Sequence, residues 1–265
     1  MIDVSVDTLC LVSKLNSSQI SEVYNHIDFT QWNGNKVWKH CIYNKEEGYY
    51  IYFIPRGGNG KWLGKHYNIM ILLQKEALLN KPAIIEYLIR ASEWTIKRLD
   101  IAFDYYESID RSFLLRSGKS KFKPYKGTSN YYYYGDRNSK KICHYDKKNQ
   151  LLERKNIVID EDVLTRFEVR LRPKLKDRHL INGDFGWVQN ELSTIKFVAN
   201  SGVITKHLKT KEDKQYFRNI KRRQKQDWTS IPRSNKTRIR KVIDEHAIDL
   251  HEECKKHGVF DQLKF

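Results

Sequence analysis

The first two thirds of the chain alternate short β-type apolar runs with two helical ones. That alternation limits the fold more than any other feature. SVDTLCLVSKL, residues 5–15, alternates as a strand does. NSSQISEVYNHID follows, with Ser17 or Ser18 as N-cap and Ile20, Val23 and Tyr24 on one helical face. KVWKHCIYN and GYYIYFIP form a strand pair about the polar turn KEEG, and HYNIMILL reads as a buried strand. From Pro82 to about Ile96 the spacing of Ile84, Ile85, Leu88, Ile89 and Trp94 predicts a helix. KRLDIAFDYYE returns to strand, and the strands YYYYGD, KKICHYDKK and LTRFEVRLRP follow, the last after a charged excursion. A strand–helix–strands unit repeated once predicts an α+β fold: a central, mostly antiparallel sheet with flanking helices.

The charge is uneven. The 265 residues carry a net charge of +17, and 40% are hydrophobic, enough for a substantial core. Between Lys206 and Lys241 stand 14 Lys or Arg against three acids. The pattern there is helical, broken near Pro232, and followed by the mixed-charge helix TRIRKVIDEHAIDLHEECKKHG. The expected division is therefore 1–205 and a basic helical segment, 206–265, that binds a polyanion, with nucleic acid the leading partner. A membrane surface fits poorly, because the basic segment lacks a strong apolar face. No apolar run approaches the roughly 20 residues of a spanning helix. The N-terminal stretch has no secretory signal, and Cys10, Cys41, Cys143 and Cys254 show no CxxC pairing. A cytoplasmic protein with free thiols is expected. RGGNGKWLGK, a Gly-rich basic loop, is no phosphate-cradling P-loop: Trp62 follows Lys61, and Pro55 stands where the motif needs Gly.

Three stretches could carry chemistry. In RLDIAFDYYE, Asp100, Ala102 and Asp104 share a strand face, the two carboxylates about 13 Å apart at roughly 3.3 Å per residue. They are either one solvated face or hard oxygen ligands for Mg²⁺ or Mn²⁺. In LTRFEVRLRP the polar face is Arg166, Glu168 and Arg170. That is a cross-strand charge ladder or, beside RLDIAFDYY, the completion of an acidic metal site. Tyr131 to Tyr134 read as sheet packing or as rings for unpaired bases. Tyr145 differs, because Lys140, Lys141, His144, Lys147 and Lys148 surround it in sequence and cations favour phenolate. His246, His251, Cys254 and His257 lie on the terminal helix, where solvated helix is the better reading than a zinc site.

RLDIAFDYY, YYYYGDRNSKKICHYDKK and LTRFEVRLR, in this order and spacing, resemble the Rep_trans family, initiators of rolling-circle replication in plasmids of Gram-positive bacteria with related relaxases. The matching segments are Arg98 to Asp104, Tyr134 to Ser139, Cys143 to Lys148 and Arg166 to Leu171, and VDTLCLVSKLNSSQISEVYNHI resembles the family's first strand and helix. The resemblance covers about residues 4 to 175. It implies a fold like that of the HUH endonucleases, with Tyr145 as the nucleophile on a DNA phosphodiester. No His-x-His occurs, so the implied metal ligands are Asp100 and Glu168 with Asp104, holding Mg²⁺ or Mn²⁺. Cys143 stands where the family has arginine, and His144 where it has an apolar residue.

The implied reaction leaves a 5′-phosphotyrosine and a 3′-OH primer, and later rejoins the strand. Expected DNA contacts are Arg137, Lys147, Arg166 and Arg170, with Lys221, Arg222, Arg223 and Lys225 in the basic segment. The implied partners are origin DNA, duplex and single-stranded, a second copy in a homodimer, and a host helicase and polymerase, with no membrane. A conjugative relaxase uses the same chemistry on a different origin. A non-catalytic DNA-binding regulator would keep the basic segment and lose Tyr145 or the carboxylates.

Overall fold

The predicted alternation folds into strands that share one large sheet. The computed structural model describes residues 2–25, 37–55, 67–115, 123–124, 132–135, 140–173, 180–181, 183–222 and 228–265. Its strands are β1 (Ile2–Ser13), β2 (Trp38–Asn44), β3 (Tyr49–Pro55), β4 (Ile69–Gln74), β5 (Thr95–Tyr105), β6 (Phe113–Leu115), β7 (Lys123–Pro124), β8 (Tyr132–Gly135), β9 (Lys140–Asp146), β10 (Thr165–Leu171) and β11 (Lys196–Val198). The helices are α1 (Ser17–Asn25), α2 (Lys75–Asn80), α3 (Ala83–Ala91), α4 (Lys147–Lys155), α5 (Gly186–Ser193), α6 (Gly202–His207), α7 (Lys211–Arg222), α8 (Arg233–His246), α9 (Leu250–Lys256) and α10 (Val259–Gln262). Nine strands pair in the order β2-β3-β4-β1-β5-β10-β9-β8-β7, and β11 pairs β6 in a small second sheet. The described registers are antiparallel, as the short connections predict. Among the described residues no helix is long and apolar enough to cross a membrane.

Three expectations change. The helix read through TRIRKVIDEHAIDLHEECKKHG is two helices, α8 and α9: Ala247 turns extended, and Asp249 caps the new start by accepting from the His251 and Glu252 N–H groups at 3.0 and 3.1 Å. The helix predicted to Ile96 stops at Ala91. Ser92 turns extended, its Oγ lies 2.9 Å from Ser13 Oγ, and Ser13 Oγ donates to the Glu93 carbonyl. Trp94 is buried with Nε1 donating to the Leu88 carbonyl at 2.8 Å, so it closes the helix end, and Thr95 already begins β5. The strand predicted through Lys148 stops at Asp146, which caps α4 by accepting from the Asn149 N–H at 2.9 Å. Lys147 and Lys148 therefore sit on a first helical turn.

By internal packing the chain separates into two units, Met1–Val4 with Ala102–Val169 and Gly186–His257, and Ser5–Ile101 with Arg170–Phe185 and Gly258–Phe265. In the second unit the register aligns Ile42 with Ile51, Ile51 with Ile71, and Ile71 with Leu11. All four are buried, as are Ala77, Leu78, Ile85, Leu88 and Ile89 of α2 and α3. In the first unit, Phe113 and Val198 of the small sheet join Ile204, Leu208, Phe217, Ile220, Ile231, Ile239 and Ile243 in one apolar core. The basic segment thus shares its core with residues that precede 205. Inside that packing, buried Asp213 accepts from Arg238 Nε and Nη2 and from Asn235 Nδ2, joining α7 to α8.

Candidate metal and nucleophile site

Strand alternation puts Arg98 and Asp100 on one side of β5. Asp100 is fully buried, a position that costs several kcal/mol for a carboxylate without partners. Arg98 supplies them, Nε donating to Oδ1 at 2.8 Å and Nη2 to Oδ2, and Arg170 Nε lies 3.5 Å from Oδ2. Four positions away, Asp104 takes a two-pronged bond from Arg166, Nε to Oδ1 at 2.6 Å and Nη2 to Oδ2 at 2.7 Å. The two ion pairs run in opposite order along β5 and β10, as in an antiparallel ladder, with Glu168 between the two arginines.

Glu168 is 1% exposed and its Oε2 accepts from the Tyr145 hydroxyl at 3.4 Å. Tyr145, 3% exposed, packs with Cys143, its neighbour two residues along β9. Lys147 Nζ lies 5.8 Å from the centre of the Tyr145 ring and also donates to Gln150 Oε1. Cys143 is itself fully buried.

One carboxylate oxygen from each of Asp7, Asp100 and Glu168 lies within 4.8 Å of the others. Three hard oxygen donors at this spacing suit a small divalent ion, whose opposite ligands stand about 4.2 Å apart at 2.1 Å per bond. Arg98 and Arg170 offset part of the charge of the three carboxylates. Asp100 and Glu168 were expected here. Asp104 is not in the set: it lies four residues along β5 from Asp100, about 13 Å away at roughly 3.3 Å per residue, and is paired there with Arg166. Asp7 was missed, although the one charged residue inside the strand run VSVDTLCLV was a signal that could have found it.

His144 faces the other way. Its Nε2 lies 2.5 Å from the Tyr105 hydroxyl and 3.3 Å from Ser112 Oγ, with the ring edge-on to Phe167 and Phe197. Of the expected DNA contacts, Arg166 and Arg170 are engaged with Asp104 and Asp100. Lys221 turns inward, donating to Ser201 Oγ at 2.6 Å, and burial pushes its ammonium below the usual lysine range against the pull of Asp110. Arg222 ends α7. Its side chain, those of Tyr132 to Tyr134, and all of Tyr131, Arg137, Arg223 and Lys225 lie outside the described residues. The exposed cations of the basic segment include Lys206, Lys209, Lys211, Arg218, Arg233, Arg240 and Lys241. On α9, Leu250 and Cys254 are buried, so that helix is packed on one side rather than solvated all round. Burial, aided by Glu253 and Asp249, pushes the Cys254 thiol up to about 12.

No family model matches the chain, and no curated protein matches it. Among solved structures it is similar to a rolling circle replication initiator protein from Geobacillus stearothermophilus, at 15% identity over 65% of this chain and 75% of that one, with a TM-score of 0.40.

Proposed function

We propose that the chain is a site-specific DNA nickase that also rejoins strands and starts rolling-circle replication. One observation carries the reading: the Tyr145 hydroxyl is bonded to a buried carboxylate that belongs to an acidic trio. A tyrosine with a base at hand and hard oxygen ligands beside it suits phosphodiester attack. The motif order and spacing described above supply the DNA and the tyrosine's role as expectations.

In this reading the Tyr145 proton passes to Glu168 Oε2 and the phenolate oxygen bonds to phosphorus. The phosphorus–O3′ bond breaks, and the leaving 3′ oxygen takes a proton from water. The phosphotyrosine keeps the energy of one phosphodiester, so a returning 3′-OH reverses the step without ATP. A Mg²⁺ or Mn²⁺ ion held by Asp7, Asp100 and Glu168 would supply positive charge to the phosphate oxygens. Lys147 adds positive charge at the ring. Origin DNA is the proposed substrate and residues 206–265 its basic grip, with a homodimer and a host helicase and polymerase as the implied assembly.

The test uses supercoiled plasmid carrying the native origin, with Mg²⁺ or Mn²⁺. The wild type should nick it and leave a covalent protein–DNA adduct. Tyr145→Phe should form no adduct while binding the origin as before, since only the hydroxyl is lost. An adduct with the phenylalanine variant would move the nucleophile elsewhere and refute the assignment.

A further inference from the structure

In the unit that holds residues 5–101, β2, β3 and β4 have two unlike faces. Ile42, Ile51, Phe53, Ile69, Ile71 and Leu73 are buried on one. The other carries Tyr43, Tyr50, Tyr52, Met70 and Leu72, all half-buried. Nothing in the proposed cleavage chemistry uses this second face.

Its tyrosines form a row. Tyr43 and Tyr50 are register partners, their ring centres 5.7 Å apart and planes 22° from parallel. Tyr50 and Tyr52 follow at 6.4 Å and 11°. Cations stand along the row: Lys45 Nζ is 5.4 Å from the Tyr43 ring centre, and Lys97 Nζ is 3.3 Å from Sδ of Met70, the register partner of Tyr52. Exposed Lys39 alternates onto the same side as Tyr43. The three strands contain no Asp or Glu; Glu46 and Glu47 stand on the β2–β3 turn, their N–H groups bound to Asn44 Oδ1. Tyr52 is the inner ring, its hydroxyl held above the usual phenol range by burial and by the Cys41 thiol.

We propose that this face is a stacking platform for the bases of single-stranded DNA. Rings in a row with ammonium groups beside them match a polyanion whose bases are unpaired. Duplex is a poor occupant. Its bases stack at about 3.4 Å along each strand and have no free faces, whereas rings about 6 Å apart suit an extended strand. Sheet packing alone would account for tyrosines on strands, but it would not call for cations along an acid-free face. The inference rests on the DNA reading above and adds to it a site for the unwound strand, apart from the cleavage residues.

The experiment measures binding of the full chain to a labelled oligothymidylate of about 16 nucleotides and to a duplex of equal length. Tyr43→Leu and Tyr50→Leu should each weaken oligothymidylate binding about tenfold, and Tyr43→Phe and Tyr50→Phe should leave it unchanged. Duplex affinity should be unaffected throughout. Folded leucine variants that bind oligothymidylate like the wild type would overturn the platform. A second measurement needs no variant: irradiating the wild type with a bromodeoxyuridine-substituted strand should attach DNA to Tyr43 or Tyr50. Attachment only elsewhere overturns the proposal too. If the wild type binds neither DNA, the DNA reading itself fails; if it binds and nicks while the leucine variants are unaltered, only the platform fails.

Discussion

At the scale of single residues, the acidic trio makes a direct prediction. Each of Asp7, Asp100 and Glu168 brings one carboxylate oxygen within 4.8 Å of the others. Calorimetric titration with Mn²⁺ checks the site: Asp7→Asn, Asp100→Asn and Glu168→Gln should each weaken binding. Unchanged affinity in Asp7→Asn and Glu168→Gln would remove the metal site from the mechanism. Asp104→Asn should leave Mn²⁺ affinity alone, because Asp104 answers to Arg166 instead. Its effect should appear in the melting temperature, since Arg166 would lose the charge that balances it in a buried position.

At the scale of elements, α7 and α8 are joined through one buried charge. Asp213 accepts three side-chain hydrogen bonds, and the bond from Arg238 holds its carboxyl below the usual range, with Thr210 and Asn235 assisting against burial. A carboxyl depressed in the folded state stabilises the fold above its unfolded pKa, about 3.9, and that stability is lost as pH falls through the folded value. Asp213→Asn should therefore cost about 2–3 kcal/mol at neutral pH and flatten the acid limb of the stability curve. Urea titrations from pH 7 to pH 3 measure both; a variant that keeps the wild-type slope in acid would assign that limb to other groups. The α3–β5 junction teaches the same lesson about legibility. Apolar spacing through Trp94 was a sound helical signal, yet Ser13 and the Leu88 carbonyl drew residues 92–96 into another conformation. Periodicity reports a face and leaves open which distant partner will claim the end of an element.

At the scale of the whole molecule, the basic segment is seated on shared core. Truncation after residue 205 would bare Phe113, Val198 and Ile204, which pack with Phe217, Ile220, Ile239 and Ile243. Circular dichroism of the truncated chain should show cooperative melting lost or much reduced; a native-like transition would mean that the core tolerates its removal. Charge should instead be tested on the surface. Exposed Lys209, Arg233 and Lys241 can be reversed to Glu without touching that core. Each phosphate contact contributes about −0.9 to the slope of log K against log salt, so losing three flattens it by about 2.7. Binding of duplex origin across a salt series reads that slope directly, and an unchanged slope would place the DNA on another surface.

The amino-acid order by itself determined the kinds of elements and their faces. β-type alternation named the strands that meet in the large sheet, and the spacing in RLDIAFDYY and TRFEVRL put Asp100 and Glu168 on polar faces. Only the tertiary structure decided the partners. Register and packing brought Asp7 to Asp100 and Glu168, gave Asp104 to Arg166, turned Lys221 toward Ser201, and folded the basic helices onto Phe113 and Val198. The physical reason is one of range. Side-chain direction follows from local backbone geometry, whereas a buried charge settles with whichever opposite charge the fold carries within a few ångströms, and that neighbour is set by strands far apart in the chain.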